Sequence, residues 1–447
     1  MPLRLTQLEE FARFIVVQLT KNGFEAFFVG GCVRDRVMGI ASKDIDVCTN
    51  ALPDEVRKIF ERTVPVGEAF NVILVVSPDE ENPLTVEVAT YRKDIGVKDG
   101  RHPERVEKAT AREDVDRRDF TMNGMLYDPV KDQVIDWVDG QKDITKKLVR
   151  AIGVPKERLQ EDYLRILRAI RFASRFQFEI DPPLWSAIKE EAPGLSKISA
   201  ERIYDEVTRM LTEGNARLAF ERLDEAGILD LILPELLEMK GVAQPPEYHP
   251  EGDVWIHNLL LLEQLTNQHS PEIGWGCLLH DIGKPRTFTH EPPDRIRFNR
   301  HAQVGAEMSA VILKRLKASR SLIETVVELV DEHLRFADVK KMKESTLRRF
   351  LRNPRFPLHL EQHRIDCMAS HQNLELYEFC KEKLASLSTE QLRPSPLIRG
   401  GDLLAWGYTP GPLYKKILEE LETLQLEGKL TSRDEAEKHV HRNWPLK

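Results

Sequence analysis

The chain has 447 residues, with 65 basic and 73 acidic side chains and a formal net charge of −8. This balance argues against a protein that coats nucleic acid through long-range attraction to phosphate, although a local basic surface stays compatible with RNA binding. Hydrophobic residues make up 41% and charged residues 31%, as in ordinary soluble proteins of roughly three domains at this length. No apolar run approaches the roughly 20 residues that cross a bilayer, so we expect no membrane partner.

Cysteine usage and the N-terminus predict the compartment. The five cysteines stand at 32, 48, 277, 367 and 380 without paired spacing, which is typical of reduced thiols. The first residues contain no apolar signal-peptide core. We therefore expect a cytoplasmic protein, and no pattern predicts its oligomeric state.

The predicted elements begin with a helix over 5–22, where apolar residues recur at helical spacing. Strands follow at 26–30, 44–48, 71–77 and 84–89, with a helix at 53–62. The charged segment 92–114 contains glycines and a proline, which predicts a mobile loop. From about residue 155 the periodicity is almost wholly helical. The expected fold class is α+β: a small mixed-sheet head, followed by an elongated all-helical body.

Two aspartates one residue apart follow a glycine pair in the head. Asp44 and Asp46 lie on a predicted strand, where residues i and i+2 point to the same face. Two carboxylates there are the hard oxygen ligands that suit Mg²⁺ carrying a nucleoside triphosphate. Gly30 and Gly31 would let backbone N–H groups approach the phosphates, and Arg34 would add a positive fork. The alternative is a surface loop with two solvated aspartates.

A third carboxylate and a polar cluster extend this candidate site. Glu87 lies in an alternating strand and would stand beside the aspartates, unless that strand face is simply solvated. In the segment 116–123, Arg117, Arg118 and Asp119 suit phosphate groups and sugar hydroxyls. Taken alone, such a charge cluster is more typical of a surface.

Segment 161–172 offers a possible reader of bases. Helical spacing places Asp162 and Arg165 on neighbouring turns. Together they present an acceptor and a donor fork, a combination that can imitate the pairing edge of a base. An exposed i, i+3 salt bridge is the alternative.

These motifs, in this order, resemble the class II tRNA nucleotidyltransferase and bacterial poly(A) polymerase family of the DNA polymerase β-like superfamily. The resemblance covers about the first 180 residues. It implies nucleotide addition to tRNA 3′ ends from CTP and ATP, with Mg²⁺ held by Asp44 and Asp46 and with Glu87 as a third catalytic carboxylate. The implied nucleotide-binding residues are Gly30, Gly31, Arg34, Arg117, Arg118, Asp119, Asn123, Asp162, Arg165, Arg168 and Arg171.

The absence of a basic motif predicts whether the chain resembles the CCA-adding enzymes or the poly(A) polymerases of this family. Poly(A) polymerases of the family resemble one another at a glycine followed by two basic residues and phenylalanine. Here Val66-Gly-Glu-Ala-Phe70 has no basic pair, which favours the CCA-adding branch. The segment 92–114 is not shortened, which argues against an enzyme that adds only the two cytosines. Enzymes that add only A or only CC, and poly(A) polymerases, stay open as alternatives.

The helical part contains a second constellation. His280 and Asp281 are adjacent in Leu278-Leu-His-Asp-Ile-Gly-Lys284, and both could reach one metal only at a helix end. The run resembles the HD metal-dependent phosphohydrolase superfamily over about 245–370, with Lys284 as a possible phosphate ligand. The resemblance implies a transition metal such as Ni, Mn, Zn or Fe, phosphoester hydrolysis of the 2′,3′-cyclic phosphodiesterase or phosphatase type, and the ligands His257, His280, Asp281, His301, His333 and Asp366.

Together the two resemblances imply four domains: a nucleotidyltransferase head over 1–150, a helical nucleotide- and RNA-binding neck over 151–240, an HD domain over 241–375 and a helical tail over 376–447. A basic run over 340–355 would contact tRNA phosphates, unless it is an ordinary exposed face. A further alternative is that the head only binds RNA, and that the HD site is the sole enzyme.

Overall fold

The fold is described from a computed structural model that covers residues 2–66, 72–97, 103–246, 249–250, 252–290 and 295–446. The chain forms two compact units, Met1–Pro234 and Glu235–Lys447. The segment after Val66, from which the CCA-adding branch was predicted, lies outside the described residues. The structure therefore does not test that prediction. Within the described residues, no helix combines the length and apolar character needed to cross a bilayer.

The head is built on a mixed sheet that has seven strands in the described part of the chain, in the order β3-β4-β5-β2-β1-β8-β9. Central β1 and β2 pair antiparallel, whereas β2 and β5 pair parallel. The side chains of β1 and β2 are mostly buried, which explains why these two strands lie at the centre of the sheet. The strands are β1 (Ala26–Val29), β2 (Asp46–Thr49), β3 (Thr63–Pro65), β4 (Val72–Val76), β5 (Thr85–Thr90), β8 (Leu126–Asp128) and β9 (Gln133–Ile135).

Helices and one hairpin complete the head. The hairpin corrects the prediction of a loop over 92–114: β6 (Arg92–Val97) and β7 (Pro103–Lys108) pair antiparallel, and a helix follows. That helix, α4 (Ala111–Asp116), starts in a capping box in which the Thr110 side chain accepts from the backbone N–H of Glu113. The other helices here are α1 (Pro2–Lys21), α2 (Gly31–Val37), α3 (Pro53–Ile59) and α5 (Gly140–Thr145).

The rest of the first unit is almost wholly helical, as predicted. Helix α7 buries Ile166, Leu167 and Ile170 completely, and each such side chain stabilises the fold by about 1.5–3 kcal/mol. The elements are β10 (Leu148–Val149), α6 (Pro155–Glu161), α7 (Leu164–Arg175), β11 (Glu179–Ile180), α8 (Pro182–Glu191), α9 (Ala200–Thr212), α10 (Ala216–Glu225) and α11 (Leu229–Ile232).

The second unit is also largely helical, and a short hairpin of β12 (Phe288–Thr289) and β13 (Arg297–Phe298) interrupts it. The mixed-sheet head and helical remainder confirm the predicted fold class. The helices are α12 (Val254–Glu263), α13 (Pro271–Leu279), α14 (Lys284–Thr287), α15 (His301–Arg315), α16 (Arg320–Glu332), α17 (Glu344–Leu351), α18 (Phe356–Ala369), α19 (Glu375–Ser386), α20 (Thr389–Leu392), α21 (Gly400–Ala405), α22 (Pro412–Leu426) and α23 (Arg433–Asn443).

Candidate active sites

Three carboxylates lie near one another at the start of β2 (Asp46–Thr49). Asp46 is the first residue of β2 and stands opposite Glu87 in the parallel register with β5, and Asp44 lies two residues earlier. Burial, followed by the negative charges of Glu87 and Asp44, raises the pKa of Asp46 to about 7. Burial of Asp46 is the largest cause of this shift, and Asp44 and Glu87 are exposed. Hard oxygen donors on neighbouring positions of this kind fit a divalent cation such as Mg²⁺.

The glycine turn lies against the same cluster. Gly30 has φ 78° and precedes α2, a backbone conformation that L side chains rarely adopt. A Cβ atom on Gly30 would lie 3.5 Å from Nη1 of Arg118. The positive charge of Arg118 in turn lowers the pKa of Asp46. The turn, the arginine and the carboxylates therefore form one continuous site.

Asp119 connects this site to α7. Its Oδ2 accepts from Nε and Nη2 of Arg168 at 2.9 and 2.7 Å, and its Oδ1 accepts from Nδ2 of Asn123 at 3.2 Å. Burial, the largest single cause, would raise the pKa of Asp119, but Arg168, Arg165 and Asn123 together outweigh it and lower that pKa to about 2. Asp119 is therefore ionised at neutral pH and fixes Arg168 against the head.

Asp162 and Arg165, the candidate base-reading residues, do not lie on one continuous helix as predicted. The chain leaves helical geometry at Asp162, which has φ −153° and separates α6 from α7. Its carboxylate accepts from Nη1 and Nη2 of Arg202 at 3.2 and 2.6 Å. Arg165 instead donates to Oε2 of Glu161 at 2.7 Å and to the backbone oxygen of Arg117 at 3.0 Å. Asp162 and Arg165 thus have separate partners.

Two of the predicted nucleotide-binding arginines are buried. Arg34, at 4% exposure, donates to Oδ1 of Asp35 and to Oδ1 of Asn123. Arg171, at 2% exposure, donates to Glu206 and Glu213. These contacts hold the elements around the site in position, and contact of either arginine with a nucleotide stays a prediction.

The second site is a cluster of histidines around Asp281. His280 follows the last residue of α13, so the predicted helix end is confirmed. Asp281 Oδ2 lies 3.1 Å from Nε2 of His280 and 3.8 Å from Nε2 of His257, and Oδ1 lies 3.5 and 3.8 Å from Nε2 of His301 and His333. Asp366 Oδ1 lies 3.1 Å from Nε2 of His257. All six predicted residues therefore come together, with Asp281 in the middle.

The tautomers of this cluster suit metal ions. In three of the histidines Nδ1 contacts a backbone carbonyl oxygen, at 2.9 Å for His280, 2.8 Å for His301 and 2.6 Å for His333. A carbonyl requires a donor, so Nε2 of each neutral ring carries a lone pair. Burial lowers the pKa of His301, and that of His333 to about 4. Nε2 of His301 nevertheless faces Nε2 of His333 at 3.3 Å, an arrangement that a shared cation stabilises.

Other groups at the two sites were missed by the sequence reasoning. Asp114 binds both Arg117 and Arg118, which their i+3 and i+4 spacing could have indicated. Arg202 has no local signal, because its partner Asp162 lies 40 residues away. Gln244 also has no local signal, because it contacts Lys284 at the HD cluster from 40 residues away in the chain.

The basic run over 340–355 is largely neutralised within its own unit. Several of its side chains form ion pairs: Lys340 with Glu375, Arg348 with Glu344, Arg349 and Arg352 with Glu422, and Arg355 with Glu328. These pairs favour the structural alternative, in which the run packs helices together. A contact with tRNA phosphates stays a prediction.

Models of three domain families match this chain. They are the Poly A polymerase head domain at residues 26–150, the "Probable RNA and SrmB- binding site of polymerase A" at 177–240 and the HD domain at 257–366. The HD match spans the six clustered residues from His257 to Asp366. The first match spans the three carboxylates of the head.

Comparisons with known proteins agree with these matches. The CCA-adding enzyme of Enterococcus faecalis is 31% identical over 430 residues, which cover 94% of this chain and 92% of that one. The CCA-adding enzyme of Staphylococcus aureus is 41% identical over 217 residues, 48% of this chain and 53% of that one.

Among solved structures, the CCA-adding enzyme of Bacillus stearothermophilus in complex with CTP superposes with a TM-score of 0.70 at 24% identity, over 97% of this chain and 96% of that one. The Thermotoga maritima enzyme complexed with tRNA gives 0.55 at 18% identity, over 97% and 94%. At these identities the likeness concerns the fold. The near full-length relative at 31% identity goes further: the chain belongs to the class II CCA-adding enzyme family, with a poly(A) polymerase head, an RNA-binding segment and an HD domain.

Proposed function

We propose that the chain adds the CCA end to tRNA from CTP and ATP, and that its head performs this reaction. The observation that supports it is the juxtaposition of Asp44, Asp46 and Glu87 at one strand end, where Asp46 has a pKa of about 7. Mg²⁺ bound there would activate the RNA 3′-hydroxyl and neutralise the leaving pyrophosphate. Gly30 and Arg118 border the same cluster, on the side that we assign to the triphosphate.

We assign selection of the incoming base to Asp162 and Arg165. In the structure each group is occupied by a protein partner, Asp162 by Arg202 and Arg165 by Glu161. The side chains of these pairs are 15–37% exposed, so solvent reaches them. A cytosine or adenine edge that offers charge-assisted hydrogen bonds of similar strength would take the place of these partners. Arg165 also holds the backbone of Arg117, so base contacts and the ribose-binding element are mechanically connected.

The test of the head uses tRNA that ends before CCA, with CTP and ATP supplied separately and together. We expect two added residues with CTP alone and three with both nucleotides. Asp44→Asn should lower incorporation about 100- to 1,000-fold, the range for loss of one electrostatic contact to the transition state. Glu80→Asn is the control, since it removes a carboxylate from the exposed turn between β4 and β5. Normal incorporation by Asp44→Asn would contradict the proposal, and addition of A only, of CC only or of poly(A) would favour those alternatives.

For the second unit we propose metal-dependent hydrolysis of phosphoesters, of the 2′,3′-cyclic phosphodiesterase or phosphatase type. The supporting observation is the set of four histidine Nε2 atoms around Asp281, which fits two transition-metal ions. A metal bound there would supply a hydroxide at neutral pH. Burial would raise the pKa of Asp281, but His280 and Lys284 outweigh it and hold that pKa well below its usual range. Asp281 is thus ionised, and it can serve both the His257–His280 pair and the His301–His333 pair.

The hydrolase activity is tested by asking whether it can be removed without loss of CCA addition. His280→Asn should abolish hydrolysis of 2′,3′-cyclic nucleotides in the metal-loaded protein and leave CCA addition within twofold of the unchanged chain. Asp44→Asn should do the reverse. Loss of both activities in either variant would contradict the separation of the two sites. Hydrolysis without any incorporation in the unchanged chain would favour a non-catalytic, RNA-binding head.

We also propose the domain limits that the motifs imply: a head over 1–150, a neck over 151–240, an HD domain over 241–375 and a tail over 376–447. The family matches over 26–150, 177–240 and 257–366 support this division. Limited proteolysis that cuts near residues 150, 240 and 375 is the expected outcome.

A further inference from the structure

Helices α16 and α18 pack together through a cluster of acidic and imidazole groups outside the two sites already described. Glu328 and Glu332 are four residues apart on α16, so they lie on the same face of that helix. His359 lies in the first turn of α18 and is 2% exposed. One oxygen of each glutamate and one ring nitrogen of His359 lie within 4.8 Å of one another. A single cation could therefore contact all three groups.

The distance between Glu328 and His359 fits two ligands of one ion. Nε2 of His359 lies 3.1 Å from Oε1 of Glu328. Two ligands of a tetrahedral zinc ion, each roughly 2.0–2.1 Å from it, lie about 3.3 Å apart. Oε1 also accepts from Nδ2 of Asn353 at 2.7 Å, and Oε2 pairs with Arg355. Burial would raise the pKa of Glu328, but Asn353, His359 and Arg355 outweigh it and lower that pKa. Glu328 is therefore ionised at neutral pH and held in one orientation.

Glu332 leaves a buried acceptor unused. Its Oε1 lies 2.8 Å from Nη1 of Arg335, whereas its Oε2 is buried without a hydrogen-bond partner in the part of the chain that the structure describes. A buried polar oxygen without a partner is costly and unusual in a folded protein. A cation between Glu332, Glu328 and His359 would remove this cost.

A second side chain without partners lies next to His359. Gln362 is 2% exposed, and both its amide oxygen and its amide nitrogen are buried without a hydrogen-bond partner among the described residues. Gln362 and His359 line one small cavity of about 10 Å³, which His333 and Asp366 also border. This volume is close to what one water molecule needs. A water molecule in this cavity, bound to an ion at His359, would give the Gln362 amide a partner.

We propose that Glu328, Glu332 and His359 bind a divalent transition-metal ion of the Zn²⁺ type, separate from the six residues of the HD cluster. Two carboxylates and one imidazole are ligands that Zn²⁺ accepts, and a water molecule would complete a tetrahedral site. The ion would cross-link α16 to α18. Because His333 directly follows α16 and Asp366 lies on α18, it would also fix the spacing of the two helices beside the HD ligands. This site does not require the hydrolase activity proposed above.

Binding here should be weaker than at the HD cluster, because Arg335 and Arg355 already balance the charges of the two carboxylates. The full chain is therefore loaded with Zn²⁺, dialysed until its zinc content is constant, and then titrated with Zn²⁺ by calorimetry. The variants are Glu332→Gln and His359→Gln, each of which removes one ligand. Glu324→Gln is the matched control, since Glu324 is an exposed glutamate on the same helix. Elemental analysis before the titration reports the zinc that the HD cluster retains.

We expect the unchanged chain and Glu324→Gln to bind one further ion. Glu332→Gln and His359→Gln should bind it at least about tenfold more weakly, since loss of even an outer partner of a metal ligand weakens binding about 10- to 100-fold. The zinc retained at the HD cluster should be the same in all four proteins. In urea unfolding, added Zn²⁺ should stabilise the unchanged chain but not Glu332→Gln, which decides the question if His359→Gln fails to fold.

The absence of a further ion in the unchanged chain overturns the inference. Affinity of Glu332→Gln within twofold of the unchanged chain overturns it as well, because the ion then binds elsewhere. Loss of the retained zinc in Glu332→Gln would also overturn it, since the glutamate would then belong to the HD cluster.

Discussion

The carboxylate cluster of the head predicts that protons and Mg²⁺ compete for one group. Asp46 has a pKa of about 7 because it is buried next to Glu87 and Asp44. About one tenth of the Asp46 side chains are then ionised at pH 6 and about nine tenths at pH 8. The apparent affinity for Mg²⁺ should therefore be about tenfold lower at pH 6 than at pH 8.

The same shift predicts how stability depends on pH without metal. The pKa of Asp46 in the folded chain is above its ordinary value of 3.8, so its contribution to stability is complete below about pH 4 and is lost as the pH rises through 7. Integrated from pH 6 to pH 8, the loss is about 1.4 kcal/mol. Asp46→Asn, which cannot ionise, should lack this loss and gives the baseline for every other titrating group.

The assay is urea unfolding of metal-free protein at both pH values, with Mg²⁺ binding measured by calorimetry on the same samples. Glu87→Gln removes the largest Coulombic cause of the shift, so both pH effects should become smaller and Mg²⁺ should bind more weakly at pH 8. Glu80→Gln, in an exposed turn, should change neither. If the unchanged chain and Asp46→Asn show the same difference between pH 6 and pH 8, the three carboxylates are not coupled and the argument fails.

Three further predictions concern other parts of the two sites. Asp119→Asn removes the shorter ion pair of Arg168 and leaves its guanidinium 3.9 Å from Glu206, so it should cost about 1.5–3 kcal/mol in urea unfolding; Arg168→Leu added to it should recover part of this, and a cost below about 1 kcal/mol would contradict the pairing. Gly30→Ala places a side chain at φ 78° and should cost about 1–3 kcal/mol and lower incorporation, whereas Gly39→Ala, at φ 70° in open space, should cost roughly 1 kcal/mol and leave incorporation unchanged. His333→Gln should lower the metal content from two ions per chain to one by elemental analysis, and an unchanged content would refute a shared cluster.

Local patterns predicted the residues whose geometry depends on near neighbours. The alternation around Glu87 follows from the pleat of a strand, and the structure pairs β2 with β5 in the register that places Asp46 opposite Glu87. Asp44 precedes β2, so the predicted strand over 44–48 begins two residues later than expected. His280 and Asp281 required only a helix end, which is where they lie. In both sites, these positions could be predicted because each depends on the geometry of a single element.

Two predictions of secondary structure were wrong: the loop over 92–114 and the continuous helix through Asp162. Charged residues, Gly96 and Pro103 indicated a loop, yet β6 and β7 pair with each other, because a two-stranded ribbon needs neither an apolar alternation nor a buried face to satisfy its backbone groups. Helical periodicity ran through Asp162 without a proline or glycine. The break arises because the Asp162 carboxylate accepts from the backbone N–H of Leu164 at 3.0 Å, the competition with helix geometry that aspartate favours near helix starts.

The arginines show where prediction from a motif reaches its physical limit. A spacing such as Arg165-x-x-Arg168-x-x-Arg171 predicts that the three guanidinium groups follow one side of a helix, but the acceptors come from elsewhere in the fold: Asp119 is 49 residues from Arg168, and Glu206 is 35 residues from Arg171. The Arg171 side chain is 2% exposed, and breaking such a buried pair is costly, whereas the Arg165 and Arg168 side chains are 15% and 32% exposed. Burial, which sequence spacing does not encode, therefore determines how firmly each arginine of the motif is held by its acceptors.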